Sequence, residues 1–365
     1  MATLPLTSDY RAIVLKRLPM IDVRAPVEFL KGAFPGAVNL PLMDDRERHL
    51  VGTAYKRQGH DAAVELGYSL VSGAIKDGRI ADWAAFYQEN PRAVIYCFRG
   101  GMRSRVSQEW LTQACGKEID RLEGGYKAFR AYLSGELTKE RPALSPVIVG
   151  GRTGSGKTKI LKDLPNFIDL EALANHRGSS FGRRISEQPT QINFEHALAY
   201  ALIHHEAAGH ERLILEDEGN HIGQCYVTPP VRSHLYNGPL VILETPLEER
   251  VQNILDEYVH VDQKEYCFAA DPVEGIDRWM ASMAESLTRI HKRLGGVGHD
   301  RILSLIQNAV AHQKATGDTA VHAQWIRPLL TDYYDPMYDY QIQQRLRTVT
   351  LTGDARTILD FVSPA

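Results

Sequence analysis

The chain has 365 residues, of which 44% are hydrophobic and 24% are charged, and its formal net charge is −3. This length and composition predict a soluble globular protein with two domains, or three. No basic segment followed by an apolar run opens the chain, and no apolar run approaches the length of a membrane span, so we expect neither a signal peptide nor a membrane anchor. The charge does not indicate a dedicated nucleic-acid-binding protein, although a local basic patch would be enough to bind RNA.

The first 130 residues alternate between short strands and helices, which predicts a parallel α/β sheet. Strands are expected at 19–23, within 34–42, at 93–97 and at the start of 121–126. A first helical turn is expected at Pro26, followed by mostly helical segments across 44–90 and 104–114.

The polar segment 135–146 contains two prolines and predicts the boundary between a domain at 1–138 and a domain at 139–365. The second domain begins with a strand at 147–150, and further strands are expected at 212–217 and 240–245. The pattern after residue 246 is mostly helical. The predicted fold class is therefore α/β in both domains, with a helical C-terminal region in the second.

The four cysteines, Cys97, Cys115, Cys225 and Cys267, show neither CxxC nor CxxH spacing. This pattern argues against a structural zinc site and against a disulfide framework. We therefore expect a reducing, cytoplasmic location, in which a free thiolate can act as a nucleophile. Three of the four are interpreted as structural cysteines, and Cys97 is the exception.

Cys97 follows a predicted buried strand and opens the loop Cys97-Phe-Arg-Gly-Gly-Met-Arg-Ser104, after which a helix begins. Backbone N–H groups of such a loop can point inward at the positive end of the helix, and Arg99 and Arg103 add charge. These features favour a thiolate beside a bound tetrahedral anion, so we predict that Cys97, Arg99 and Arg103 are catalytic. Two chemistries fit the loop: that of cysteine-dependent phosphatases, and the sulfur or selenium transfer of rhodaneses.

The segment Gly151-Arg-Thr-Gly-Ser-Gly-Lys-Thr158 has the spacing of a phosphate-binding loop (P-loop) and lies between a predicted strand and a helix. Its glycines Gly151, Gly154 and Gly156 allow backbone N–H groups to face a phosphate chain. Lys157 would reach the terminal phosphates, and Thr158 would bind Mg²⁺.

Two further groups of residues are candidate ligands. Asp217 lies at the end of a predicted strand and would hold Mg²⁺ through water, although a capping turn explains this acidic segment equally well. The segment 176–184 is basic and rich in glycine, so Arg177, Arg183 and Arg184 are candidate contacts for RNA phosphates. A solvated loop is the alternative interpretation of this segment.

The upstream segments Asp22-Val-Arg-Ala-Pro-Val-Glu-Phe29 and Gly36-Ala-Val-Asn-Leu-Pro41 resemble the opening of a rhodanese domain, in which Asp22 and Arg24 are mainly structural. Tyr96, rather than a histidine, precedes Cys97, and this weakens the phosphatase interpretation. With Arg121-Leu-Glu-Gly-Gly-Tyr126 and the P-loop, the chain resembles the tRNA 2-selenouridine synthase family from about residue 20 to at least residue 250.

The resemblance implies an enzyme that replaces sulfur by selenium at C2 of a wobble 5-substituted 2-thiouridine in tRNA. It implies selenophosphate as the selenium donor, an S-geranylated intermediate made from geranyl diphosphate, and Cys97 as the catalytic cysteine. The expected partners are these two small molecules and tRNAs for lysine, glutamate and glutamine. We expect a monomer without haem, flavin or zinc, with Mg²⁺ as a candidate cofactor.

Several questions stay open at the level of sequence. Cys97 either carries selenium covalently or only holds the anion. The P-loop binds either a nucleotide or the diphosphate of geranyl diphosphate, because the scheme contains no step that consumes ATP. The alternative functions are a cysteine phosphatase fused to a nucleotide-binding regulator and a tRNA-binding protein without catalysis.

Overall fold

The computed structural model describes residues 4–344 and 348–363 and contains two compact units. The first unit comprises Met1–Lys139 and Thr190–Gly209, and the second comprises Glu140–Pro189 and His210–Ala365. The change of unit after Lys139 lies at the boundary that the sequence predicts. The sequence did not predict that residues 190–209 belong to the first unit. This finding corrects the predicted division into domains 1–138 and 139–365.

The helix Gln191–Ala207 accounts for this correction. Phe194, Leu198 and Leu202 are spaced at i, i+4 and i+8 and are all buried. The helix packs in the first unit, where Asn193 Oδ1 accepts a hydrogen bond from the Ala33 backbone N–H at 2.8 Å. The sequence places this helix inside the second domain because its apolar face does not indicate which core it joins.

The first unit is built on a five-stranded parallel sheet with the order β1-β5-β4-β2-β3. Its strands are β1 (Leu6–Thr7), β2 (Met20–Asp22), β3 (Ala37–Asn39), β4 (Val94–Tyr96) and β5 (Asp120–Leu122). Its helices are Tyr10–Leu15, Pro26–Leu30, Asp45–Gln58, His60–Leu70, Gly73–Glu89, Met102–Cys115, Gly125–Thr138 and Gln191–Ala207. All residues of the inner strands β2 and β4 are buried, as expected for a parallel sheet covered by helices. The predicted strands are confirmed, whereas β1 and the helix after it were not predicted.

The second unit contains a parallel sheet with the order β11-β10-β6-β7 and an antiparallel hairpin of β8 and β9. Its strands are β6 (Ser145–Gly150), β7 (Arg212–Glu216), β8 (His221–Ile222), β9 (Cys225–Tyr226), β10 (Leu240–Leu243) and β11 (Val349–Gly353). β6 leads into the P-loop and pairs directly with β7, so Glu216 at the end of β7 lies opposite Val149. This register brings an acidic side chain to the P-loop.

The helices of the second unit lie mostly after residue 246, as predicted. They are Lys157–Leu161, Leu170–Leu173, Pro229–Leu235, Leu247–Ile254, Asp262–Ala269, Pro272–Leu294, Gly296–Thr316, Ala323–Leu329, Asp335–Gln344 and Ala355–Val362, with π-helical turns at Leu255–Val261 and Leu330–Tyr334 and a 3₁₀ turn at Ala320–His322. Trp279 and Trp325 lie in a hydrophobic core formed by this helical region. The predicted α/β class is confirmed. The strand β11 was not predicted, because the region after residue 246 has a mostly helical pattern. Among the described residues, no helix combines the length and the apolar character needed to cross a membrane.

Candidate active site

The cysteine loop joins β4 to the helix Met102–Cys115, in the strand-loop-helix arrangement that the sequence predicts. Cys97 is buried, and its Sγ atom lies 3.1 Å from the Oγ atom of Ser104. The Ser104 hydroxyl can donate to the Gly101 carbonyl, 3.2 Å away, or turn and donate to the sulfur. The Ser104 hydroxyl can therefore accept a hydrogen bond from the Cys97 thiol or donate one to the sulfur.

The segment 124–127 holds the backbone of the cysteine loop. The N–H of Tyr126 donates to the Cys97 carbonyl and that of Lys127 donates to the Phe98 carbonyl, both at 2.9 Å. Gly125 has a φ of +59°, and a Cβ atom there would collide with the Cys97 carbonyl and the Gly100 nitrogen. Only glycine fits this position, which explains why the Gly-Gly-Tyr segment accompanies the cysteine loop.

The two predicted catalytic arginines differ in their surroundings. Arg103 forms a bidentate ion pair with Glu28, with N···O distances of 2.6 and 3.2 Å. Burial alone would raise the pKa of Glu28, but the hydrogen bond and charge of Arg103 outweigh it and lower this pKa. Arg99 is exposed and forms no ion pair with any described residue. Arg103 is therefore a fixed positive charge near Cys97, whereas Arg99 keeps its charge available for an anion.

Asp22 and Arg24 form a buried ion pair, as predicted. Arg24 donates to the Asp22 carboxylate from Nε and from a terminal nitrogen, at 2.9 and 2.6 Å, and also to the Gly32 carbonyl at 2.8 Å. The guanidinium carbon lies 3.8 Å from the ring centre of Tyr126. These contacts assign Asp22 and Arg24 to the structure beneath the cysteine loop.

In the second unit, the P-loop is held by its carbonyl groups. Three side chains donate to successive carbonyls: Arg250 to Thr153 (3.0 Å), Asn253 to Gly154 (3.0 Å) and Thr245 to Ser155 (2.9 Å). Arg250 is itself buried and paired with Asp335. Thr153, Gly154 and Ser155 also line the cleft, and backbone N–H groups of such loops bind phosphate. No sequence motif indicated these supporting residues.

Lys157 and Thr158 lie at the end of the P-loop. Lys157 Nζ donates to the Gly151 carbonyl at 3.1 Å and so closes the loop. Thr158 Oγ1 donates to Glu216 Oε1 at 2.6 Å. Asp217, the predicted metal ligand, lines the same cleft, but the carboxylate that contacts Thr158 is Glu216. Asp217 therefore stays a prediction as a metal ligand, and Glu216 is the further candidate that its contact with Thr158 indicates.

Glu216 belongs to a carboxylate cluster with Glu171 and Glu218, in which one ligand atom of each residue lies within 4.8 Å of the others. Burial, followed by repulsion from the other two carboxylates, raises the pKa of Glu171 to about 10. Burial also raises the pKa of Glu216 to about 7, although the charge of Lys157 opposes this shift. Three carboxylates so close cannot all be ionised without compensation, so the cluster requires protons or a cation. Its oxygen atoms suit Mg²⁺.

The three arginines predicted to contact RNA have different surroundings. Arg177 is buried and ion-paired with Asp262 and Glu257. We correct its assignment to a structural one, since contact with a phosphate would require breaking these pairs. Arg183 is paired with Glu285 at 2.8 Å and Arg184 lies 3.9 Å from Glu265, and both retain exposed surface.

The cleft around the P-loop has a volume of about 780 Å³. Besides the P-loop and the carboxylate cluster, it is lined by Tyr258 and Tyr334, which lie in the two π-helical turns. Such turns often occur at functional sites. The helical region therefore contributes one wall of the site, although its sequence contains no motif that predicts this role.

A rhodanese-like parallel-sheet domain with a cysteine loop, joined to a P-loop domain, is the class of protein that this fold and these two loops define. Residues 10–132 match the rhodanese-like domain family, and residues 144–365 match the family described as tRNA 2-selenouridine synthase AAA domain. The chain is similar to tRNA 2-selenouridine synthases of Sulfurovum sp. (strain NBC37-1), with 50% identity over 99% of both chains, and Hydrogenovibrio crunogenus, with 47% identity over 98% of this chain and 99% of the relative. A relative of the same name from Bordetella bronchiseptica is 46% identical over 98% and 97%. The chain belongs to the tRNA 2-selenouridine synthase family.

Proposed function

We propose that this chain is a tRNA-modifying enzyme that replaces sulfur by selenium at C2 of the wobble 2-thiouridine, with selenophosphate as the donor. The observation that carries the proposal is an end-to-end similarity to 2-selenouridine synthases in a chain that keeps both anion-binding loops intact. A phosphatase would use the cysteine loop alone and would leave the P-loop without a role in catalysis.

The chemistry proceeds through an S-geranyl intermediate. A thiocarbonyl sulfur leaves C2 poorly, so the sulfur first attacks C1 of geranyl diphosphate, and diphosphate departs. Selenium of selenophosphate then bonds to C2, and the C2–S bond breaks with loss of geranylthiol, which takes up one proton. Water cleaves the Se–P bond, giving hydrogen phosphate and the 2-selenocarbonyl with a proton on N3. No redox step is required.

The Cys97 loop binds selenophosphate in this scheme. Selenophosphate is a tetrahedral anion, and the loop offers the exposed charge of Arg99 beside the fixed charge of Arg103. Two roles for Cys97 are compatible with the contact to Ser104: a covalent selenium carrier, or a group that positions the anion.

The P-loop binds the diphosphate of geranyl diphosphate. Its backbone N–H groups and Lys157 would complement two adjacent phosphates, and the carboxylate cluster next to Thr158 would hold Mg²⁺ against them through Glu216. A cation so placed would stabilise the negative charge of the leaving diphosphate. Arg183 and Arg184 remain the proposed RNA contacts of this unit.

The activity is tested by nucleoside mass spectrometry. Purified protein is incubated with 2-thiouridine-containing tRNA, selenophosphate and geranyl diphosphate, and wild type is compared with Cys97→Ser. Selenouridine formed by wild type alone supports the function, and geranylated tRNA that accumulates in the variant places Cys97 after alkylation. Unchanged tRNA, with hydrolysis of an aryl phosphate instead, would identify the phosphatase.

The role of the P-loop is tested separately with Lys157→Ala, using Lys292→Ala, an exposed lysine of the same unit, as the control. The variant should fail on unalkylated tRNA but still selenate tRNA that has been geranylated beforehand. Equal loss of selenation on both substrates would contradict a role in the alkylation step.

A further inference from the structure

The first unit contains an apolar pocket of about 230 Å³ beside the cysteine loop. Its walls come from the helices Asp45–Gln58, His60–Leu70 and Met102–Cys115. The apolar side chains that define it include Val51, Val64, Val71, Met102, Val106 and Trp110. The proposed roles of the two anion-binding loops leave this pocket without a function.

The pocket and the cysteine loop share one helix. Met102, Val106 and Trp110 are spaced at i, i+4 and i+8, so they form a single stripe along it. This stripe begins two residues before Ser104, whose hydroxyl contacts the Cys97 sulfur. Arg103 also lines the pocket, and its charge interacts with Cys97. The pocket therefore adjoins the cysteine loop at Met102 and Arg103.

Three large side chains with apolar surface lie at the rim of the pocket, together with His60. Tyr55, Tyr68 and Met102 are 59%, 48% and 46% exposed, respectively. Large apolar side chains grouped around an opening indicate a binding surface. The volume exceeds by about half that of an apolar cavity of about 150 Å³ that holds a six-carbon ring. It therefore suits a hydrocarbon chain of about nine or ten carbons.

We propose that this pocket binds the geranyl tail of the S-alkylated base while selenium displaces sulfur at C2. This inference rests on the proposed function, in which an S-geranyl thioether reaches the Cys97 loop. Removal of the tail from water would hold the C2 atom against the anion bound in the loop. The pocket would also receive geranylthiol as it leaves.

The test uses tRNA alkylated beforehand on sulfur with either a geranyl group or a five-carbon dimethylallyl group. Val64→Trp fills the pocket at a distance from the cysteine loop, and Val38→Trp, at an exposed valine of β3 outside the pocket, is the matched control. We expect wild type and Val38→Trp to selenate the geranyl substrate at least about tenfold more efficiently, because a chain shorter by five carbons buries less apolar surface. Val64→Trp should abolish this preference, because the longer chain then has no more apolar surface to bury than the shorter one.

The outcomes separate the two proposals. If wild type selenates neither of the two alkylated tRNAs, the proposed function is refuted. Selenation without a preference for the longer chain would refute the pocket. Equal loss on both substrates in Val64→Trp would also refute it, because the pocket would then support the fold or dock tRNA. The comparison within one variant remains valid if Val64→Trp folds less efficiently.

Discussion

Replacement of Glu171 by glutamine should stabilise the second unit above neutral pH when no divalent cation is present. Glu171 lies in the carboxylate cluster with Glu216 and Glu218, and it donates to Glu218 when protonated. Glutamine has the shape of the protonated acid and keeps a donor for this hydrogen bond. The substitution therefore removes the free-energy cost of keeping this carboxyl protonated above neutral pH, and it leaves the packing unchanged.

The magnitude follows from the shift in protonation. The pKa of Glu171 is about 10 in the folded protein and 4.5 without its surroundings. Because the folded pKa is raised, the stability contributed by the protonated form is fully present below pH 4.5 and is lost progressively up to pH 10. At pH 8 the loss has a ceiling of about 5 kcal/mol. Relaxation of the cluster reduces this value, so we expect a gain of about 2 to 4 kcal/mol in Glu171→Gln.

The assay is calorimetric unfolding at pH 5 and pH 8 in a chelator, with Glu187→Gln, an exposed carboxylate of the same unit, as the control. The transition of the second unit should rise by about 5–15 °C at pH 8 in Glu171→Gln, since each kcal/mol shifts a domain of this size by about 2–4 °C. At pH 5 the variant should unfold close to wild type. An equal difference at both pH values, or a lower transition at pH 8, would refute the argument from charge repulsion.

Three further predictions concern other buried groups. Mg²⁺ should raise the melting temperature of wild type at pH 8 and should bind much more weakly to Glu216→Gln, as titration calorimetry would measure; equal binding would contradict the metal site. Asp22→Asn should cost the first unit about 3–5 kcal/mol of unfolding free energy in chemical denaturation, because it leaves the Arg24 charge buried without its partner; a loss below about 1 kcal/mol would contradict this. Burial lowers the pKa of His196 from 6.5 to about 4, so the neutral ring contributes stability above pH 6.5 that is lost as pH falls toward 4. The first unit should lose up to about 3 kcal/mol over this range, and His196→Asn should show a weaker pH dependence in the same denaturation assay.

The sequence predicted the cysteine loop and the P-loop because each consists of contiguous residues. A strand, a glycine-rich turn and a helix follow one another at Cys97 and again at Lys157, and local chain geometry is enough to form each loop. The ion pair of Asp22 and Arg24 could also be predicted from the sequence, since its partners are two residues apart. Predictions succeeded where the interacting groups are close in sequence.

The carboxylate cluster could not be predicted in this way. Glu171 lies far from Glu216 along the chain and reaches it because residue 167 bridges to β7 at Ile214 while β7 pairs with β6.

Residue type was equally uninformative for Arg177, since a basic segment does not indicate which of its arginines turns inward. Only the positions of Asp262 and Glu257, about 80 residues later, decide that Arg177 is structural.

The supports of the two loops show why a motif is an incomplete description of a site. The cysteine loop is held by backbone hydrogen bonds from the segment that contains Gly125, so its support has a recognisable glycine signature. The P-loop is held by side chains of Arg250 and Asn253, in the helix Leu247–Ile254, and of Thr245 just before it, and no motif marks these residues. Loss of Arg250 would free a P-loop carbonyl and leave Asp335 without its partner, although the motif itself would remain unchanged. The proposed binding of a diphosphate would therefore depend on residues about 100 positions beyond the motif that predicts it.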